Sequence, residues 1–141
     1  MNSKRGISRK RQAINSKSKN LLNIATCTVN TFVRYFTGEL ASSQAGNISS
    51  DFIPVDPETV YTVTGGRNAQ NAGSSFYDKD KVFISGIQVS SFTTPANCAY
   101  VRTTINSSYI NTAQVEKSSE ATGYDDYKQV KPVNRVLSVK R

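Results

Sequence analysis

Two aspartates, Asp78 and Asp80, stand two positions apart in "SSFYDKDKVFISG", each followed by a lysine. Carboxylates at this spacing can ligate calcium, share acid–base work, or shape a turn. Calcium needs several converging oxygens, and a lysine beside each aspartate opposes a cation. The run continues Lys-Val-Phe where a calcium loop would supply another Asp or Asn and a glycine. The turn explains more, because an Asp at the first turn position bonds its own backbone. A four-residue loop would then set Tyr77 opposite Val82 and Phe76 opposite Phe83, with both phenylalanines on one face. The remaining acid pairs, Glu116 with Glu120 and Asp125 with Asp126, stand in no recognisable catalytic context. The chain has no histidine, which removes Ser-His-Asp and Cys-His catalysis and the commonest general base at neutral pH. "TGGRN" lacks the lysine and the helix of a phosphate-binding loop. No catalytic residue, metal or cofactor is expected.

Binding chemistry has better candidates. Tyr61, Tyr77, Tyr100, Tyr109, Tyr124 and Tyr127 offer flat faces on which sugar rings can stack, although strand tyrosines are commonly half-buried with only the hydroxyl in water. Arg102, expected to face outward beside Tyr100, can donate bidentately or pair with a surface acid. Tyr77, Tyr100, Arg102 and Tyr109 are therefore the candidate carbohydrate contacts. Cys27 and Cys98 match no metal spacing and read as two free, partly buried thiols of a reducing compartment.

Charge is segregated along the 141 residues. Residues 1–19 carry Lys4, Arg5, Arg9, Lys10, Arg11, Lys17 and Lys19 with no acid, and residues 128–141 carry five more cations with no acid. The stretch between holds six basic residues against ten acids, a net of −4. This is a mildly acidic globule with two basic tails. The first tail is too polar to fold alone; it reads either as a solubilising tail or as an arm that settles onto a larger, negatively charged partner. No aromatics are interleaved for base stacking, so nucleic acid is not the expected partner. Neither a secretory signal nor a run of about 20 apolar residues is present, so no membrane contact is expected.

The elements that must position these residues read as strands. "NLLNIATCTVNTFVRYF" gives one or two; "DFIPVDPETVYTVTG" gives two around a turn, with Pro54 and Pro57 confining it to an edge or a strand entry. "GGRNAQNAG" reads as a flexible loop. "SSFYD", "VFISGIQVSSF" and "CAYVRTTI" follow as strands, the last placing Ala99, Val101 and Thr103 on one face and Tyr100, Arg102 and Thr104 on the other. "AQVEKSS" is a last core strand, and "NRVLSVKR" an extra one outside the core. Short strands about ten residues apart indicate an antiparallel sandwich or barrel. The expected organisation is a basic arm over 1–19, a β-sandwich over 20–128 and a basic extension over 129–141.

The ordered runs "SSDFIPVDPETVYTVTG", "FYDKDKVFISG", "FTTPANCAYVRTTI" and "NTAQVEKSSEATGYDDYK" resemble the carbohydrate-binding-module-like jelly roll of bacteriophage tail and fibre proteins, and "NLLNIATCTVNTFVRYFTGEL" is similar to that family's first strand pair. The resemblance covers about residues 20–128. It implies an all-β antiparallel jelly-roll β-sandwich without catalytic residues, in trimeric virion appendages associated with cell-surface glycans. With basic tails at both ends, the expectation is a virion protein made in the host bacterial cytoplasm: a head fibre, capsid decoration or tail-attached appendage. Its expected partners are other virion proteins and further copies of itself, a trimer foremost. The alternative is an adhesion module that binds a host surface glycan.

Overall fold

The computed structural model describes residues 18–43 and 45–128. Arm residues Lys4, Arg5, Arg9, Lys10, Arg11 and Lys17, and the extra strand expected in 129–141, lie outside the described residues. Among the described residues there are eleven strands: β1 Thr28–Val29, β2 Thr31–Val33, β3 Leu40–Ser42, β4 Asn47–Ser49, β5 Ile53–Pro54, β6 Val60–Thr64, β7 Ser74–Tyr77, β8 Phe83–Ile87, β9 Ser91–Thr93, β10 Tyr100–Asn106 and β11 Gln114–Glu116. The only helical pieces among them are two 3-10 turns, Ile24–Thr26 and Ser107–Tyr109, so no helix there is long and apolar enough to cross a membrane.

Every pairing is antiparallel. The larger sheet runs β1-β4-β10-β7-β8, with β5 also paired to β10; the smaller runs β11-β6-β9; β2 and β3 form a separate hairpin. The inner faces follow the period-two rule. Ile48, Ile53, Phe76, Val101 and Ile105 from the larger sheet join Tyr61, Val63, Phe92 and Val115 from the smaller in one buried cluster. Phe76 meets Phe92 edge-to-face with ring centroids 5.1 Å apart. Each fully buried aliphatic side chain in this layer stabilises the fold by about 1.5–3 kcal/mol. The arrangement is all-β and compatible with a β-sandwich.

Outer faces decide where function can sit. Val101 and Thr103 point inward as the alternation predicts, but Thr104 on the opposite face is also fully buried. The β2–β3 hairpin covers it: Val33 N donates to Thr104 Oγ1 (2.9 Å), and Thr31 Oγ1 donates to Ser49 Oγ (2.8 Å). The chain then crosses β7 and β8 so closely that a Cβ added at Gly86 would lie 1.6 Å from the Tyr35 carbonyl oxygen. Only glycine permits that approach. The first run yields two very short strands after a 3-10 turn, because the Asn23 side chain accepts from Ala25 N (3.1 Å) and Asn30 takes a left-handed φ of 55°. Pro54 ends a two-residue strand, and Pro57 falls in the following turn. Cys27 is half-buried, Cys98 is buried, and both thiols are free.

Candidate functional site

The Asp78–Asp80 stretch is a hairpin turn. Asp78 Oδ1 accepts from Asp80 N (2.8 Å) and Val82 N (3.0 Å), and the Asp78 carbonyl accepts from Lys81 N (2.9 Å). Its carboxylate is committed to shaping the loop. The register departs from the expected four-residue loop: Tyr77 pairs with Phe83 and, across a bulge, Phe76 pairs with Ser85. One extra residue turns the following side chain to the other face. Phe76 therefore packs inward against Phe92, whereas Phe83 lies outside against Tyr77, with centroids 6.3 Å apart.

Three of the four expected carbohydrate contacts meet on the outer face of the larger sheet, around a residue that sequence reading passed over. Phe52, in the link from β4 to β5, contacts Tyr77 (4.8 Å) and Tyr100 (5.9 Å) edge-to-face. Arg102 lies 4.5 Å from the Phe52 centroid and Lys81 lies 5.0 Å from it. Lys81 also reaches Tyr100 (5.4 Å), and Arg102 Nε donates to Ser50 O (2.9 Å). This is an internally satisfied brace. Tyr77 is buried, its hydroxyl donates to Gly38 O (2.6 Å), and burial pushes its phenol up against the opposing pull of Arg102. Lys81 and Arg102 lie against the Phe52 ring, and Lys81 also against Tyr100, as cation–π contacts. Tyr109 stands apart on the second 3-10 turn, exposed and beside Gly65.

Lys19, expected in the arm, belongs to the fold. Its backbone N donates to Asp125 Oδ2 (3.3 Å) and its Nζ to Thr122 Oγ1 (2.6 Å). Buried Asn20 ties both ends of the described chain to β11. Its Oδ1 accepts from Leu22 N (3.0 Å) and Val115 N (3.2 Å), and its Nδ2 donates to Asp125 O (3.0 Å). Lys128 N donates to Ser18 Oγ (3.3 Å), so the two ends of the described chain lie side by side. Residues 117–125 return over the smaller sheet and bury Glu116, which accepts from Gln114 Nε2 (3.0 Å), Thr122 N (3.1 Å) and Thr122 Oγ1 (2.6 Å). Burial pushes its carboxyl up, but these bonds outweigh it and hold the pKa below the ordinary value, helped by the Lys19 charge.

A concave site lies where the hairpin, β4 and the loop after β6 meet. It encloses about 270 Å³ and is lined in part by Phe32, Asn47, Arg67, Gln70, Asn71 and Ala72. The expected flexible loop is in fact braced through its backbone. Arg67 N donates to Thr104 O (2.9 Å), Ala72 N to Ala69 O (2.9 Å) and Tyr35 N to Asn71 O (3.2 Å). Gln88 Nε2 reaches both Gln70 O (2.7 Å) and Ala72 O (3.0 Å). Arg67 Nε is held by Asn47 Oδ1. The signal available in "GGRNAQNAG" was its density of amides around an arginine, which reads equally as loop solubility.

Compared with protein-family models, curated proteins and solved structures, the chain has no match in any of the three.

Proposed function

We propose that this chain is a structural component of a bacteriophage particle, a head fibre, capsid decoration or tail-attached appendage. On this reading the basic tails fasten it to an acidic surface, and a jelly-roll β-sandwich is displayed outward, most simply as a trimer. The observation that carries the reading is the shared root of the tails at Ser18 and Lys128. Residues 1–17 hold six cations and residues 129–141 hold four, with no acid in either, whereas the acids fall between them. Ten positive charges leaving one place form a single polybasic attachment on an otherwise acidic module, and opposite charge on the receiving surface would steer and hold it. Deleting residues 1–17 leaves the Ser18–Asn20 root in place. The truncated module should melt at the full-length temperature and be lost from purified particles. Full occupancy of the particle by the truncated protein would overturn the reading.

A second reading, adhesion to a host glycan, is favoured by the cleft at Arg67 rather than by the tyrosines first suspected.

A further inference from the structure

We infer that the cleft formed by Phe32, Asn47, Arg67 and Asn71 is a saccharide site that prefers a sugar bearing a carboxylate. This rests on the adhesion reading and names its site and ligand class. Arg67 uses Nε on Asn47, and no carboxylate among the described residues pairs with its guanidinium. Asn71 gives its backbone carbonyl to Tyr35 N and Asn47 gives its Oδ1 to Arg67, and both residues line the cleft with their amide side chains. Amide side chains offer a donor and an acceptor a fixed distance apart, which matches neighbouring hydroxyls that both give and take a proton. The free edge of Arg67 presents a planar fork that fits a carboxylate. Phe32 supplies the apolar surface that the C–H face of a sugar ring covers. With one cation in the wall, the cleft is poorly equipped for a phosphate, which carries more charge.

The walls are also fixed before a ligand arrives. The backbone bonds that brace residues 67–73 hold Arg67 and Asn71 against β10 and the hairpin, so little ordering cost falls on binding. The brace around Phe52 cannot be the same site: Tyr100 and Asn106 are opposite ends of β10, and Asn47 pairs with Asn106. Six residues of strand place the two roughly 20 Å apart.

The test is a two-dimensional amide NMR titration of the full chain with a galacturonic acid trisaccharide and with a neutral galactose trisaccharide, alongside a broad glycan array. Saturable shifts should concentrate at Arg67, Gln70 and Asn71, with the carboxylated sugar binding at least tenfold tighter. Asn71→Ala should weaken it at least tenfold at unchanged melting temperature, since Asn71 braces the loop through its backbone carbonyl, and Arg67→Ala should weaken it as much while also giving up its side-chain bond to Asn47. Arg67→Lys should lose most of the preference for the acidic sugar, and Tyr100→Ala should change nothing. Saccharide binding that survives both cleft substitutions would overturn the cleft assignment and leave adhesion standing. A blank array would overturn both. An acidic peptide that displaces the sugar from the same residues would overturn the saccharide assignment.

Discussion

Removing the Glu116 carboxylate tests whether the returning segment is held as described. Glu116 is 2% exposed and accepts three hydrogen bonds, two of them from Thr122. Thr122 Oγ1 in turn accepts from Lys19 Nζ (2.6 Å), so one carboxylate clamps residues 117–125 to the smaller sheet and steadies the start of the chain. A hydrogen bond to a charged group is worth about 1.5–3 kcal/mol net, and a buried donor left alone costs a similar amount. The full sum will not appear in Glu116→Ala. The segment can lift away and let water satisfy Thr122, so the loss is capped by the free energy of that local opening. A loss of about 2–3 kcal/mol is expected in urea unfolding, with amide exchange at Thr122 and Asp125 accelerated first. Acid titration gives an independent readout. A carboxyl held below its ordinary pKa contributes stability that is fully present above the unfolded value, about 4.3, and is lost as pH falls through the lower folded value. Wild type should therefore lose stability relative to Glu116→Gln only below about pH 4.5. Comparing the two profiles removes every other carboxylate from the result. Unchanged exchange at Thr122 in Glu116→Ala, or a difference between the profiles that still changes with pH above 5, would refute the clamp.

Four further outcomes test other parts of the structure. Gly86→Ala should destabilise by about 3 kcal/mol or more, since the clash is with the Tyr35 backbone, whereas Gly123→Ala, with nothing within 4 Å, should stay within about 1 kcal/mol of wild type in the same thermal melts. Asp78→Ala should lose about 0.5–1.5 kcal/mol and Asp78→Asn much less, because a turn needs the acceptor oxygen and not the charge; equal losses would revive a role for the carboxylate. Burial, with the Asp51 charge adding to it and Arg102 opposing, raises the Cys27 thiol to about 11. Its disulfide exchange at pH 8 should then be about 20-fold slower than that of free cysteine, the scarcer thiolate being partly offset by its greater nucleophilicity; a matching rate would place the thiol in a different environment. Asn20→Ala should speed amide exchange at both Leu22 and Val115, and an effect confined to Leu22 would deny that the residue joins the two ends.

What the sequence disclosed and what it hid divide along contact range. Val101 and Thr103 declare an inward face through alternation alone, and Asp78 declares a turn through its own backbone. The bulge between Phe76 and Tyr77 carries no local mark, so the expected register slipped and Phe83 went to the wrong face. Thr104 and Glu116 sit in alternating runs whose outer positions should meet water. Glu116 is buried by residues 117–125, which fold straight back over their own strand, and Thr104 by the β2–β3 hairpin, a segment far away in the chain. Phe52 was invisible for the same reason: Tyr77, Lys81, Tyr100 and Arg102 come from strands and turns at least 25 positions on. Tyr77, Tyr100 and Arg102 do meet on one face, around Phe52, but aromatic chemistry does not say whether a ring faces a ligand or a neighbouring side chain.

On the proposed attachment, Asn20 would couple anchoring to folding. An arm that fastens a module to a surface must pass its load into the core, and a charged tail attached by one frayed residue would peel away. Here the amide of Asn20 binds the backbone of Leu22, Val115 and Asp125 at once. Leu21 N adds a bond to Val115 O (2.8 Å), and Leu22 is buried in the core cluster. Load on either tail is therefore delivered to β11 and from there across β6, rather than to a single terminal strand. Because Lys19 and Asp125 are joined at the same root, detaching one tail exposes the hydrogen-bonding groups that hold the other. On the proposed reading, an anchor of two basic tails would gain from this coupling: with one tail seated, the other would be held near the same acidic surface at a high effective concentration, and release would require both to leave together.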